Sequence, residues 1–482
     1  MAYCILKSFK LDFNPLRLFE IFNRQSRCFF LDSSMSFDAS ASPIRLTSSF
    51  GMLRTNTERS RRIDYRGRYS FLGIEPFKIL KSKNGDCLSE LKEALDPLAL
   101  RLPNNDLPFF GGAVGYLAYD LGFSLEKKLK PKYKKGPDIP NLYFCFYNNL
   151  VIIDHYKQIF YILSLGLPEK KYSLSKKLAE ENFKKISNLV SKLPSLKISQ
   201  KLTAKIATQD LNSNFTKKEY LGAVKKAKEY IANGDIYQVN LSQQFNAKCA
   251  LTAPEIYKRL RSISPSYFGA YLDTGDFQII SSSPERFLKL EGNKVTTCPM
   301  KGTRPRGANS TKDKKLRSEL LKSAKDKAEL MMIIDLERND LGRVCDYDSI
   351  NVSALREIEE YKTVFQSTAT ITGRLYKNKG RIDLLRASFP GGSITGCPKI
   401  RAMEIIEELE PTRRAIYTGA LGYLSFTGDM EMNILIRTIL KKEENIYFGV
   451  GGGIVADSDP ESEYQETLVK AKGSFKAIKS RY

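Results

Sequence analysis

Asp326 and Glu329 stand three residues apart in KDKAELMMIIDLERNDLGR, and Glu463, Glu466 and Lys470 fall at i, i+3 and i+7 in DSDPESEYQETLVKAK. On helices, residues at these spacings share a face. Carboxylate pairs on two helices suit a hard cation such as Mg²⁺, which keeps some of its water and bridges to an anionic substrate. Acidic pairs on helices are more often simply solvated, so spacing alone leaves both readings open. A second constellation is SSSPERF (281–287) followed by CPMKGTRPRG (298–307). Here Glu285 can act as an acid and Lys301 as a nucleophile. A lysine attacks only as the neutral amine, which requires burial or nearby cations, and Arg304 and Arg306 are candidates for the latter. A basic surface turn is the competing reading. Two glycine-rich stretches, FPGGSITGCPK (389–399) and FGVGGGIVAD (448–457), complete the set. They can bring backbone N–H groups against an anion or make tight turns, and neither has phosphate-loop or dinucleotide spacing.

The elements that must carry these groups are partly visible. Asp459 is placed to cap a helix whose first position is Pro460, with Tyr464, Leu468, Ala471 and Phe475 on its apolar face. Thr216 and Glu219 have capping-box spacing, and Leu221, Val224, Ala227 and Ile231 mark the face of the helix that follows. Gly234 is a natural stop. Val239, Leu241 and Phe245 alternate as in a strand. Residues 1–165 read as a β-rich lobe, 166–211 as a Lys-rich linker with a surface helix, and 212–482 as the module holding the chemistry. The pattern is mixed α/β or α+β.

Composition narrows the chemistry. The 482 residues are 42% hydrophobic and 27% charged, as in a globular protein. Lys plus Arg number 77 against 54 Asp plus Glu, a formal charge of +23. That balance fits anionic partners, but many of the lysines sit in KK pairs beside Glu or Asp, as on solvated helix faces, and no zinc-finger spacing, basic region with heptads or aromatic RNA-binding signature is present. The eight cysteines form no C-x-x-C pair and read as reduced thiols of a cytoplasmic protein. No signal peptide or membrane-spanning run is expected. His155, in VIIDHYKQIFYIL, is the single histidine. It reads as an edge or exposed strand residue. One histidine excludes a His-rich zinc site and leaves acid–base work to carboxylates, lysine or tyrosine.

Taken together, IANGDIYQVNLSQQF, SSSPERFL, MKGTRPRG, ELMMIIDLERNDLGR, FPGGSITGCPKIRAMEIIEELEP, YTGALGYL, NILIRT and GGGIVADSDPESEYQETLVKA resemble, in order, the motifs of the chorismate-binding enzymes. This family includes anthranilate, isochorismate, salicylate and aminodeoxychorismate synthases. RYSFLG and PFFGGAVGYLAYD extend the resemblance into the first half. It implies an α+β sandwich of two large antiparallel sheets with outer helices. It also implies Mg²⁺ held by Glu329 and Glu466 with Glu463 alongside. Arg437 and Tyr417 match positions holding the enolpyruvyl carboxylate. Ser393 and the backbone of Gly451, Gly452 and Gly453 would line the substrate, Lys470 would sit beside a carboxylate, and Glu285 would be the general acid.

Within the family, P-x-x-G-T carries alanine third in anthranilate synthases. Here it is Pro299-Met300-Lys301-Gly302-Thr303, which resembles the aminodeoxychorismate synthase component I branch. The implied reaction is amination of chorismate at C4 through a Lys301 adduct, in 4-aminobenzoate and folate biosynthesis. Ammonia would come from a separate glutamine amidotransferase subunit. Anthranilate synthase component I is the alternative. YKTVFQ places Gln366 where many anthranilate synthases carry histidine. FFLDSS resembles the segment of the tryptophan-regulatory site, where Ser33 reads either as a tryptophan contact or as a strand-to-turn serine.

Overall fold

The computed structural model describes residues 2–35, 66–101, 107–126, 128–132, 134–193, 211–362 and 364–479. Two large sheets dominate, and every named strand pair in both is antiparallel. The first has twelve strands. From Cys4–Lys10 at one edge it passes through Phe29–Asp32, Phe268–Asp273, Gln278–Ser283 and Thr438–Lys442 to Asn445–Ile454, Gln238–Lys248 and the short Gly396–Cys397. The second has ten. It runs from Met300–Pro305 through Val364–Arg374, Lys294–Cys298, Arg286–Glu291, Met430–Ile434, Ala420–Ser425 and Gly112–Leu117 to Lys78–Ser82. The expected α+β sandwich of two antiparallel sheets is the observed architecture.

Strands from before residue 166 and after residue 211 share both sheets. Phe29–Asp32 pairs with Phe268–Asp273, and Gly112–Leu117 pairs with Ala420–Ser425. The intervening segment contains the helix Tyr172–Val190, which turns Ser175, Ala179 and Ile186 inward.

Burial follows strand alternation. Phe29, Phe71 and Ile279 enter the core shared with Phe109, Val114, Phe144 and Tyr423 of the other sheet. Their neighbours Phe30, Leu72 and Ile280 point to the opposite face and pack with residues of the helices Pro15–Phe22, Ala253–Ile263 and Pro460–Ile478. Apolar residues therefore run consecutively along these strands, because both faces of the sheet are covered.

The helices that carry the candidate carboxylates begin at side-chain caps. Ser323 Oγ accepts from Asp326 N–H at 3.2 Å to start Ala324–Gly342, and Asp459 accepts from Ser462 N–H at 2.9 Å to start Pro460–Ile478. The Thr216–Glu219 capping box forms as its spacing predicts.

Candidate active site

The site lies where the chain crosses between the sheets. Glu285 sits between Gln278–Ser283 of the first sheet and Arg286–Glu291 of the second. Arg437 sits in the reverse crossing, between Met430–Ile434 and Thr438–Lys442. The crossings are tied together: the Glu285 carbonyl accepts from Ile434 N–H at 3.1 Å, and the Arg437 carbonyl accepts from Ser282 N–H at 3.1 Å. Arg437 adopts φ +50°, a conformation L side chains rarely occupy, so the neighbouring strands fix its backbone. Among the described residues no carboxylate forms an ion pair with its guanidinium, which is left available for an anion.

Glu285, Lys301 and Ser393 form one connected group. The Ser393 hydroxyl donates to Glu285 Oε1 at 2.6 Å, and Lys301 Nζ donates to the Ser393 carbonyl at 3.1 Å. Burial pushes the Glu285 carboxyl up to about 7, against the pull of the Ser393 hydroxyl and Lys301. Burial also holds the Lys301 ammonium below its ordinary pKa, and Lys470 pushes the same way, while Glu329, Glu285 and Glu466 oppose. The two arginines expected to depress Lys301 are engaged elsewhere. Arg304 pairs with Asp326 at 2.9 Å and Arg306 with Asp313 at 2.6 Å. Desolvation does the work assigned to them, and the neighbouring cation is Lys470, distant in sequence.

Glu463 and Glu466 lie against the glycine strand, and Glu329 is near enough to Lys301 and Glu463 to feel their charge. Asn445–Ile454 is a strand along its whole length, so the run of glycines is no turn. A Cβ on Gly449 would lie 2.3 Å from the Tyr417 ring, and one on Gly452 would lie 3.1 Å from Glu463 Oε2 and 3.9 Å from both Glu466 Oε1 and Lys470 Nζ. Glycine is required at the first position and keeps the second as an open cradle. Lys470 Nζ reaches both Glu466, at 2.8 Å, and the Gly451 carbonyl, at 2.8 Å. Glu463 is buried and accepts from Ser458 Oγ at 2.6 Å. Burial raises the proton affinity of Glu329, and Asp326 and Glu463 add to it against Lys301 and Lys325. Burial likewise raises Glu463, and Glu466 adds to it. Crowded carboxylates of this kind gain from a cation. Among the described residues no three His, Cys, Asp or Glu side chains group closely enough to hold a metal by themselves. An ion at these carboxylates would need water and ligand oxygens to complete its shell.

Tyr417 is buried under Gly449, and Gly453 lies against Gln238. Among the described residues no hydrogen bond joins either to the Glu285–Ser393–Lys301 group. Beneath Tyr417 is a feature the sequence reading missed. Arg414 is buried, binds Glu410 at 2.6 Å and donates to the carbonyls of Asn240, at 2.6 Å, and Ile394, at 3.0 Å. Glu410 also accepts from Ser242 N–H at 2.8 Å. This pair fastens the loop carrying Ser393 to the strand beside the glycines. Its i, i+4 spacing is a signal, but Pro411 and the helix end at Leu409 remove the helical geometry that would have made it legible. His155 is not at the site. It is half-buried at a turn, with Nε2 2.7 Å from Ser70 Oγ. Ser33 N–H donates to the same Ser70 hydroxyl at 3.1 Å.

The family model described as chorismate binding enzyme matches residues 52–476. Anthranilate synthase component 1 of Aquifex aeolicus (strain VF5) is 40% identical over 82% of this chain and 79% of its own length. Aminodeoxychorismate synthase component 1 of Bacillus subtilis (strain 168) is 36% identical over 86% and 89%. Among solved structures, anthranilate synthase component I from Streptococcus pneumoniae TIGR4 superposes with a TM-score of 0.75 at 32% identity, covering 89% of this chain and 95% of that one. Motifs, sheet architecture and these similarities agree: the chain belongs to the chorismate-binding enzymes.

Proposed function

We propose that this enzyme aminates chorismate at C4 to give 4-amino-4-deoxychorismate, the precursor of 4-aminobenzoate in folate synthesis. The observation that carries the reading is the Lys301 amine, held by the Ser393 carbonyl beside a buried Glu285 whose carboxyl is raised to about 7. A nucleophile with lowered pKa and an acid with raised pKa, both bound to Ser393, are matched to a substitution that expels a hydroxyl group as water.

Lys301 forms a bond to C2 of the cyclohexadiene as both ring double bonds shift, C1=C2 to C1=C6 and C5=C6 to C4=C5, and the C4–O bond breaks. Glu285 gives its proton to the departing hydroxyl, which leaves as water. Ammonia then bonds to C4 as both double bonds return to C5=C6 and C1=C2, and the Lys301 nitrogen leaves C2 with its electron pair. While C2 carries the enzyme amine, it is closed to amination. Arg437 and Tyr417 would hold the enolpyruvyl carboxylate, and Ser393 and the Gly451–Gly453 backbone would line the substrate. Glu329, Glu466 and Glu463 would hold Mg²⁺, which when bound supplies positive charge for the ring carboxylate. Lys470 would exchange its hold on Glu466 for that carboxylate. Ammonia would reach the site from a glutamine amidotransferase subunit.

Anthranilate synthase is the competing activity, since relatives of both names are similar over most of the chain. The test is a product assay of the chain with chorismate, Mg²⁺ and an ammonium salt, read by mass spectrometry and anthranilate fluorescence. Aminodeoxychorismate without fluorescence supports C4 amination. Anthranilate as the product overturns it.

A further inference from the structure

Behind the acid lies a second buried carboxyl that the reaction does not use. Glu337 is buried on the helix Ala324–Gly342. A Cβ on Gly392, the residue before Ser393, would lie 3.6 Å from the Glu337 side chain. Glu337 Oε2 is 2.9 Å from Thr297 Oγ1, and that hydroxyl is 2.6 Å from the Phe287 carbonyl. Phe287 stands two residues after Glu285, at a register shift between Arg286 and Lys289 that leaves its carbonyl outside the ladder opposite Thr297.

Proton counting decides the state of Glu337. A threonine hydroxyl owns one hydrogen, and a backbone carbonyl only accepts. At 2.6 Å the Thr297 hydrogen belongs to Phe287. The 2.9 Å contact with Glu337 then needs a hydrogen on the carboxyl. We propose that Glu337 is a neutral carboxylic acid in the folded enzyme, donating to Thr297, and that it is a positioning residue for Glu285 and Ser393.

The surroundings agree. Burial raises the Glu337 carboxyl to about 8, with Glu285 and Asp340 adding to the rise; Lys399 opposes it, as the Thr297 hydroxyl would only if its hydrogen turned from Phe287 to Glu337. Lys399 is bound to Asp340 at 2.5 Å, so the nearby cation already has a partner. Ionised, Glu337 would face the Thr297 lone pairs and repel Glu285. Neutral, it ties the strands Arg286–Glu291 and Lys294–Cys298 to the helix behind the Gly391–Ser393 loop.

The link to catalysis rests on the proposed role of Glu285, whereas the protonation state does not, so the test separates the two. Denaturant midpoints of the whole chain and of Glu337→Gln are measured at pH 5 and pH 9. A folded pKa raised above the ordinary value of 4.5 means that the stability it gives at low pH is lost as pH rises through about 8. The glutamine variant, which cannot ionise and still donates to Thr297, should therefore gain on the wild type between the two pH values. Equal pH dependence in both overturns the neutral carboxyl. For positioning, Glu337→Ala should lower kcat at least tenfold with KM changed less than threefold, and Glu337→Gln should restore kcat to within about threefold at pH 7. Failure of glutamine to rescue a folded alanine variant overturns the positioning role, whichever product is formed.

Discussion

Lys301 and Glu285 must be in opposite protonation states to those they hold free in water: the amine neutral, the carboxyl protonated. Burial drives both shifts; the Ser393 hydroxyl and Lys301 limit the rise at Glu285, and Glu329, Glu285 and Glu466 limit the fall at Lys301. Activity should therefore rise with pH as Lys301 loses its proton and fall as Glu285 loses its own near 7, giving a bell. The Ser393 hydroxyl lowers the Glu285 pKa by bonding its ionised form. Removing it in Ser393→Ala should move the alkaline limb of kcat/KM to higher pH, a shift readable in a pH–rate profile. An unmoved limb would show that another group sets it. Lys301→Ala should cut aminodeoxychorismate formation roughly a hundredfold, the scale of losing a covalent path. Mass spectrometry of the products also tells whether the opened C2 now yields anthranilate.

Elements matter here through their ends and their missing side chains. The helix Pro460–Ile478 brings Glu463, Glu466 and Lys470 over Gly452, and Asp459 fixes where that helix starts. Asp459→Ala should cost about 1 kcal/mol of stability, the usual worth of an N-cap, measurable in denaturant. Gly452→Ala puts a methyl against Glu463 Oε2. It should raise the Mg²⁺ concentration needed for half-maximal rate severalfold while changing the melting temperature little; an unchanged Mg²⁺ requirement would remove these carboxylates from the metal site. Much of this level was legible in the sequence. Caps and alternation are local signals, and the Asp459, Thr216 and Gln238–Lys248 features appear where their spacing placed them. The glycine stretch was ambiguous because a strand without side chains and a turn share a composition. The pairing with Gln238–Lys248 and the Tyr417 ring packed against Gly449 distinguish them.

At the scale of the whole molecule the site exists because two chain crossings meet, and that was not legible from local pattern. Ile434 and Glu285 are 149 residues apart, and Gly112–Leu117 finds its partner 303 to 313 residues later. Alternating apolar residues do not say which strand pairs with which. The ordered motifs supplied that information by resemblance. The same scale frames the nitrogen source. An amidotransferase of this pathway needs a cysteine nucleophile with a histidine base, and the chain has one histidine. Its Nε2 lies 2.7 Å from Ser70 Oγ, and all eight cysteines are free thiols, most of them buried. Burial raises the thiols of Cys28, Cys145 and Cys249 above the ordinary value, the wrong direction for a nucleophile. With glutamine as sole nitrogen donor the isolated chain should therefore give no aminated product, whereas an ammonium salt should sustain turnover. Because free ammonia rather than ammonium is the reactant, the ammonium-dependent rate should climb with pH until loss of the Glu285 proton limits it. Adding the amidotransferase subunit should make glutamine a competent donor; glutamine-dependent turnover by the chain alone would place a second active site somewhere that one histidine does not reach.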